Sequence, residues 1–216
     1  MTSIGGPIGP SGVASLPPAW LAARSLPLLT VQAGTQLFRV HQVIHNPIFF
    51  GPAIDPATDV RLPPTNRFDS LTGAFGVLYL GKQFEGAFAE TVLRNPLRRF
   101  VSQHYVALRA VSEVTASRNL KVVDLRGPGL SAVGLTNAIS TGPYNPCWAW
   151  SDYLWSHRDR PDGVAYASRH DPLQICYAIF ERPDVTFHAA PATPFGALLP
   201  AIRALLRKYD KILARP

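Results

Sequence analysis

NRFDSLTGAFGVLYLGKQFEGAFAETVLR, residues 66–94, reads as a turn, a short strand and a helix, and it brings an arginine, a tyrosine and a glutamate into one supersecondary unit. The run 76–80 is apolar and bounded by Gly76 and Gly81, as a strand should be. Alternation sets Val77 and Tyr79 on one face and Leu78 and Leu80 on the other. From Phe84 onward, Phe84, Ala87, Phe88, Thr91 and Val92 recur at helical spacing and leave Glu90 at the margin of the buried stripe. Two readings of Glu90 stay open. It either pairs on the surface with Arg94, four residues on, or leans into a cleft.

Upstream, Leu37-Phe38-Arg39-Val40 reads as a strand with Arg39 flanked by core residues. A guanidinium in that setting needs an anion, because an unpaired buried charge costs several kcal/mol or more. Either a protein carboxylate or a ligand phosphate would serve, and the planar arginine fork suits phosphate oxygens. The proline-rich connection 45–64 has no helical or strand period and has the length of a functional loop. His41 and His45 are four apart, but the segment is not helical and offers no third ligand, so no metal site is expected.

Downstream, residues 100–110 have mixed strand character, and Lys121-Val122-Val123-Asp124-Leu125 is a clearer strand ended by Gly127-Pro128-Gly129. A short helix is expected over 130–139 and an aromatic-rich one over 147–157. Val164, Tyr166 and Ser168 share one face of a strand at 164–168, where Ser168 either satisfies local backbone groups or faces a site. Further strands are expected at 174–180 and 184–187. A long amphipathic helix over 198–213 closes the chain, with Leu198, Ile202, Leu205, Leu206, Tyr209, Ile212 and Leu213 as its stripe.

With 216 residues, 47% of them hydrophobic and only 16% charged, the chain fits one globular domain with stiff, proline-rich connections. Residues 1–34 read as a flexible or loosely packed N-terminal arm with one short helix near Trp20, and 35–216 as the folded domain. Cys147 and Cys176 sit in apolar surroundings and read as buried free thiols. Neither a charged leader nor a run of about 18 apolar residues occurs, so a cytoplasmic protein without a membrane span is expected. Of the net charge of +7, an excess of five falls within 94–126. That stretch would suit nucleic acid, an acidic partner, an anionic substrate or plain solvation. No helix-turn-helix, zinc-finger or RNP pattern accompanies it, so direct nucleic-acid binding is not expected, and no Walker loop, GxGxxG, GxSxG or CxxC is present.

Taken together, Leu37-Phe38-Arg39-Val40, Asn66-Arg67-Phe68-Asp69, Val77-Leu78-Tyr79-Leu80, Ala87-Phe88-Ala89-Glu90, Val122-Val123-Asp124-Leu125 and Asp162-Gly163-Val164-Ala165-Tyr166-Ala167-Ser168-Arg169 resemble the RES domain in the same order. The family takes its name from an arginine, a glutamate and a serine. The resemblance implies a single α+β domain similar to the ADP-ribosyltransferase fold, with central sheets flanked by short helices. It implies a bacterial toxin acting on NAD, restrained by a cognate Xre-type antitoxin, with no cofactor beyond NAD as substrate. Carried over, it assigns the arginine to Arg39, the glutamate to Glu90 and the serine to Ser168, with Arg67 and Tyr79 supporting the cleft. Whether water, inorganic phosphate or a protein captures the ribosyl group stays open. In this reading the basic stretch 94–126 is the landing surface for an acidic antitoxin segment.

Overall fold

The structure, a computed structural model, describes residues 15–214. In chain order the strands are β1 (Leu28–Val31), β2 (Leu37–Gln42), β3 (Ile54–Asp55), β4 (Val60–Arg61), β5 (Val77–Gly81), β6 (Phe100–Val101), β7 (Arg109–Ala116), β8 (Leu120–Leu125), β9 (Gly163–Ala167), β10 (Ile175–Phe180), β11 (Phe187–Ala189), β12 (Thr193–Pro194) and β13 (Ile212–Leu213). The α-helices are α1 (Phe84–Val92), α2 (Gln103–Ala107), α3 (Pro128–Ala132), α4 (Ala138–Thr141), α5 (Asn145–Ser156) and α6 (Leu199–Lys208). This is the α+β class expected, with one main sheet and short helices.

That sheet runs β1-β8-β9-β10-β5-β2-β7-β11, with β12 also on β7. Only β8 and β9 are parallel; the remaining pairs of this sheet are antiparallel, as short connections allow. Alternation divides the strand residues between two apolar layers. Val77, Val123 and Val164 pack with Phe68, Phe75 and Trp150 beneath α5, whereas Leu78, Leu80, Leu37, Val122 and Ile179 fill the other layer. Tyr79 falls on the first side, as its register with Val77 requires.

The geometry that creates the site is a break in this sheet. β2 and β5 share a single register pair, Phe38 with Gly81, and the ladder stops there. Helix α1 covers the break, burying Ala87, Phe88 and Ala89 against Val40, Phe195, Ile202 and Leu206, with Gly86 against Gln174, Ile175 and Cys176. It approaches so closely that a side chain at Gly81 would lie 2.5 Å from the Ala87 nitrogen. Glycine at this strand end is therefore a packing requirement.

Several expectations need correcting. Residues 1–14 of the arm lie outside the described residues, but 15–34 are not loosely packed. Leu21 is fully buried in the main core, and β1 pairs with β8 over four residues. The region 100–110 holds a two-residue strand, then helix α2, whose N-cap Ser102 accepts a hydrogen bond from the Tyr105 nitrogen; the long strand β7 begins only at Arg109. The helix expected at 130–139 is two short ones, broken at Gly134 with φ +77°. The final helix stops at Lys208 because Asp210 turns to φ 51°, and Ile212 and Leu213 leave it to pair with Phe100 and Val101. Connection 45–64 contains the small β3–β4 hairpin.

The basic stretch is not one surface. Arg109 opens β7 and Arg118 lies two residues past its other end, and the 8-residue strand spans about 24 Å at strand rise. Arg118 is engaged by Asp162 and Asp184, Arg126 by Asp124 and Arg99 by Asp210. Among the described residues no helix is long and apolar enough to cross a membrane.

Candidate active site

Beyond the Phe38–Gly81 pair lies a cavity of about 200 Å³, lined by Arg39 and Val40 from β2 and by Tyr79, Leu80 and Gly81 from β5. Helix α1 contributes Ala87, Glu90 and Thr91, and the turn before Phe68 contributes Asn66 and Arg67. Its remaining walls are Arg94, Tyr144, Tyr166, Arg169, His170 and Cys176. Four arginines and one carboxylate thus face one space.

Arg39 resolves its two alternatives in an informative way. Its Nη1 donates to the carbonyls of Pro47 and Phe49 at 2.8 and 2.7 Å, within the 45–64 connection, and no described carboxylate pairs with it. Burial lowers its pKa to about 10, which leaves it charged at neutral pH. Its positive charge therefore remains uncompensated, and the loop is fastened to it.

Arg67 is 6% exposed. Its Nη1 donates to the carbonyls of Ile139 (3.1 Å) and Gly142 (3.0 Å), and its guanidinium lies over the Tyr144 ring at 4.6 Å. Its Nη2 is buried with no partner.

The turn that carries Arg67 is built around Asp69, which is fully buried. Its Oδ2 accepts from the backbone nitrogens of Thr65 (2.8 Å) and Asn66 (2.7 Å), and its Oδ1 accepts from the Tyr79 hydroxyl at 2.8 Å. That hydroxyl in turn accepts from the Phe68 nitrogen. Burial, with Asp69 alongside, holds the Tyr79 phenol well above its ordinary range. Its hydroxyl is thus committed to the turn, and what Tyr79 offers the cavity is its ring.

Glu90 does lean inward. The Arg94 guanidinium bonds to the Glu90 backbone carbonyl (3.0 Å) and to Asn66 Oδ1 (3.2 Å), not to the carboxylate. Glu90 Oε1 instead accepts from Ser168 Oγ at 2.6 Å and from the Arg169 nitrogen at 3.1 Å, leaving Oε2 without a hydrogen bond among the described residues.

Ser168 is 2% exposed and is not part of the cavity wall. Its Oγ also accepts from the nitrogens of His170 (3.2 Å) and Asp171 (3.3 Å), closing the turn after β9. Ser168 thus both shapes its own turn and orients Glu90, which joins the two readings that its strand-end position left open. Of the five residues named from sequence, Arg39, Arg67, Tyr79 and Glu90 line the cavity, and Ser168 stands behind Glu90.

Sequence reading missed Tyr144, Tyr166, Arg169 and His170. Tyr166 was within reach, since it shares a strand face with Ser168. Tyr144, in a turn without periodicity, was not. Burial lowers the His170 imidazole below its usual 6.5, with Glu90 pulling the other way. Cys147 and Cys176 are buried free thiols, as expected.

No curated protein matches the chain. A solved structure, described as the crystal structure of the M. tuberculosis MbcT–MbcA toxin–antitoxin complex, contains a chain with a similar fold. That chain is 18% identical, with a TM-score of 0.56 over 81% of this chain and 92% of its own length. The RES domain model matches residues 36–199, well over half of the sequence and the whole span that carries Arg39, Arg67, Tyr79, Glu90 and Ser168. The chain belongs to the RES domain family.

Proposed function

We propose that this protein is the toxin of a toxin–antitoxin pair and that it cleaves the nicotinamide–ribose bond of NAD. The observation that carries this reading is the composition of one cavity: a carboxylate held in place by Ser168 and Arg169, surrounded by arginines that form no ion pair among the described residues. NAD presents matching chemistry, with a doubly anionic pyrophosphate, a flat base, and a ribose that becomes cationic as the bond breaks.

In the proposed reaction the C–N bond breaks with its electron pair leaving on neutral nicotinamide, and the ribose becomes oxocarbenium-like. Glu90 lies near that positive charge, and its free Oε2 stabilises the charge or accepts from a ribose hydroxyl. Arg39 and Arg67, both in the cavity wall, hold the pyrophosphate. The Tyr79 ring gives the nicotinamide a surface to pack on. Ser168 acts through Glu90 as a positioning residue. The cavity is smaller than the roughly 300–1,000 Å³ of pockets that enclose a drug-sized ligand, so the dinucleotide would extend across the rim, past the exposed Arg94 and Arg169. Water, inorganic phosphate or a protein side chain then captures the ribosyl carbon; the last of these would make the enzyme an ADP-ribosyltransferase.

An Xre-type antitoxin fits as the partner that restrains the activity by covering the cavity mouth. Arg94 and Arg169 at the rim suit acidic side chains and would make association salt-sensitive. Incubating purified protein with NAD, with and without phosphate or candidate acceptor proteins, tests the reaction. Expression with and without the genomic neighbour, with cellular NAD measured, tests the biology. Unchanged NAD in cells containing folded protein alone would count against the toxin reading.

A further inference from the structure

Tyr166 stands on β9, in register with Cys176 of β10, and its ring packs against Phe68 at 5.0 Å. It is 3% exposed, its ring buried and the small remaining surface at the cavity. Tyr79 donates to Asp69 and Tyr105 to the Thr91 carbonyl, whereas the Tyr153 hydroxyl is buried without a partner away from the cavity. Tyr166 makes no hydrogen bond to any described residue, yet it borders the cavity, as Glu90 and Arg67 do. Burial and the Glu90 carboxylate keep its phenol well above the ordinary range, so at neutral pH the hydroxyl is a donor. Here is a neutral donor with no acceptor among the described residues, set in the wall of the cavity that Glu90 and Arg67 also line. The hydroxyl is not among the buried polar atoms that lack a partner, so it opens onto the cavity, where a ligand oxygen can take the place of water as its acceptor.

We infer that Tyr166 is a substrate-contacting residue whose hydroxyl donates a hydrogen bond to an oxygen of the bound dinucleotide, in the region between Glu90 and Arg67. This rests on the NAD reading of the cavity proposed above. No proton is transferred; the contact orients the substrate.

Tyr166→Phe tests it, because the ring contact with Phe68 survives and only the hydroxyl is lost. Nicotinamide release from NAD should fall about 3- to 10-fold in kcat/KM, the range for one neutral hydrogen bond, while the melting temperature stays the same or rises slightly. Tyr79→Phe, which loses two bonds to the protein, should instead lower the melting temperature. Wild-type kcat/KM in Tyr166→Phe would overturn the contact and leave the NAD reading standing. A variant that loses stability along with activity would reassign the hydroxyl to a structural role and also overturn it. A wild-type protein that neither binds nor turns over NAD would overturn both readings. Independently of folding, a crystal structure of Glu90→Gln with NAD should place a ligand oxygen within about 3.2 Å of Tyr166 Oη; a hydroxyl facing no ligand oxygen would refute the inference.

Discussion

Replacing Ser168 with alanine isolates the link between the family's serine and its glutamate. The bond from Ser168 Oγ to Glu90 Oε1 is 2.6 Å long and ends on a carboxylate, so it belongs to the charge-assisted class worth roughly 1.5–3 kcal/mol. The Arg169 nitrogen still holds the same oxygen at 3.1 Å, so Glu90 would stay near the cavity but turn more freely. At about 1.4 kcal/mol per tenfold, kcat should fall roughly 10- to 100-fold with KM little changed, because the pyrophosphate contacts are untouched. Ser168→Ala also leaves the nitrogens of His170 and Asp171 facing a methyl group. That costs about 1–2 kcal/mol of stability, or roughly 2–8 °C in melting temperature for a chain of this size. The assay is nicotinamide release at saturating NAD, paired with thermal unfolding. Full kcat in Ser168→Ala would refute the idea that this serine works by holding Glu90, and so would a loss confined to KM.

Other perturbations separate the remaining roles. Arg67→Lys keeps the charge but removes the planar fork and its stacking on Tyr144; KM for NAD should rise about tenfold or more with a smaller change in kcat, and an unchanged KM would remove Arg67 from substrate binding. His170 has a pKa lowered from 6.5 by burial, so as pH falls through 6.5 the unfolded chain takes up a proton before the folded one. Stability should therefore drop on acidification below that point, and His170→Gln should lessen the drop; identical stability profiles from pH 7 to 5 would contradict the assignment.

The parts of this protein that were legible in its sequence are those where period and chemistry agree. Alternation put Tyr79 on the face of Val77, and the apolar stripe of α1 left Glu90 at its margin, where the structure has them; Arg39 was legible as a charge within a strand of core residues. What the sequence concealed was set by single backbone decisions or by distant partners. The apolar stripe of α6 runs on through Ile212 and Leu213, and nothing local announces that Asp210 will adopt a left-handed conformation and send them into a strand with β6. Arg118 and Arg126 read as surplus charge, since their partners Asp162 and Asp184 lie 44 and 66 residues away for the first. The partner of the second, Asp124, only two residues away, was counted but not paired with it. Arg67 sits in a turn without periodicity, so its burial over Tyr144 and its unpartnered nitrogen belong to tertiary structure alone. Ser168 was named as a site residue, but its position behind Glu90 follows from the turn that its own hydroxyl closes.

The most direct test of the account is nicotinamide release from NAD by the wild-type protein and by Glu90→Gln. Glutamine preserves the shape of the side chain, and its oxygen still accepts from Ser168 and from the Arg169 nitrogen, so the fold and melting temperature should hold while the negative charge is lost. Removing an electrostatic stabiliser of this kind lowers kcat by about 100- to 1,000-fold. The account predicts rapid release by the wild type and a loss of that size in a well-folded variant; equal rates from the two proteins, or no release from folded wild type, would contradict it.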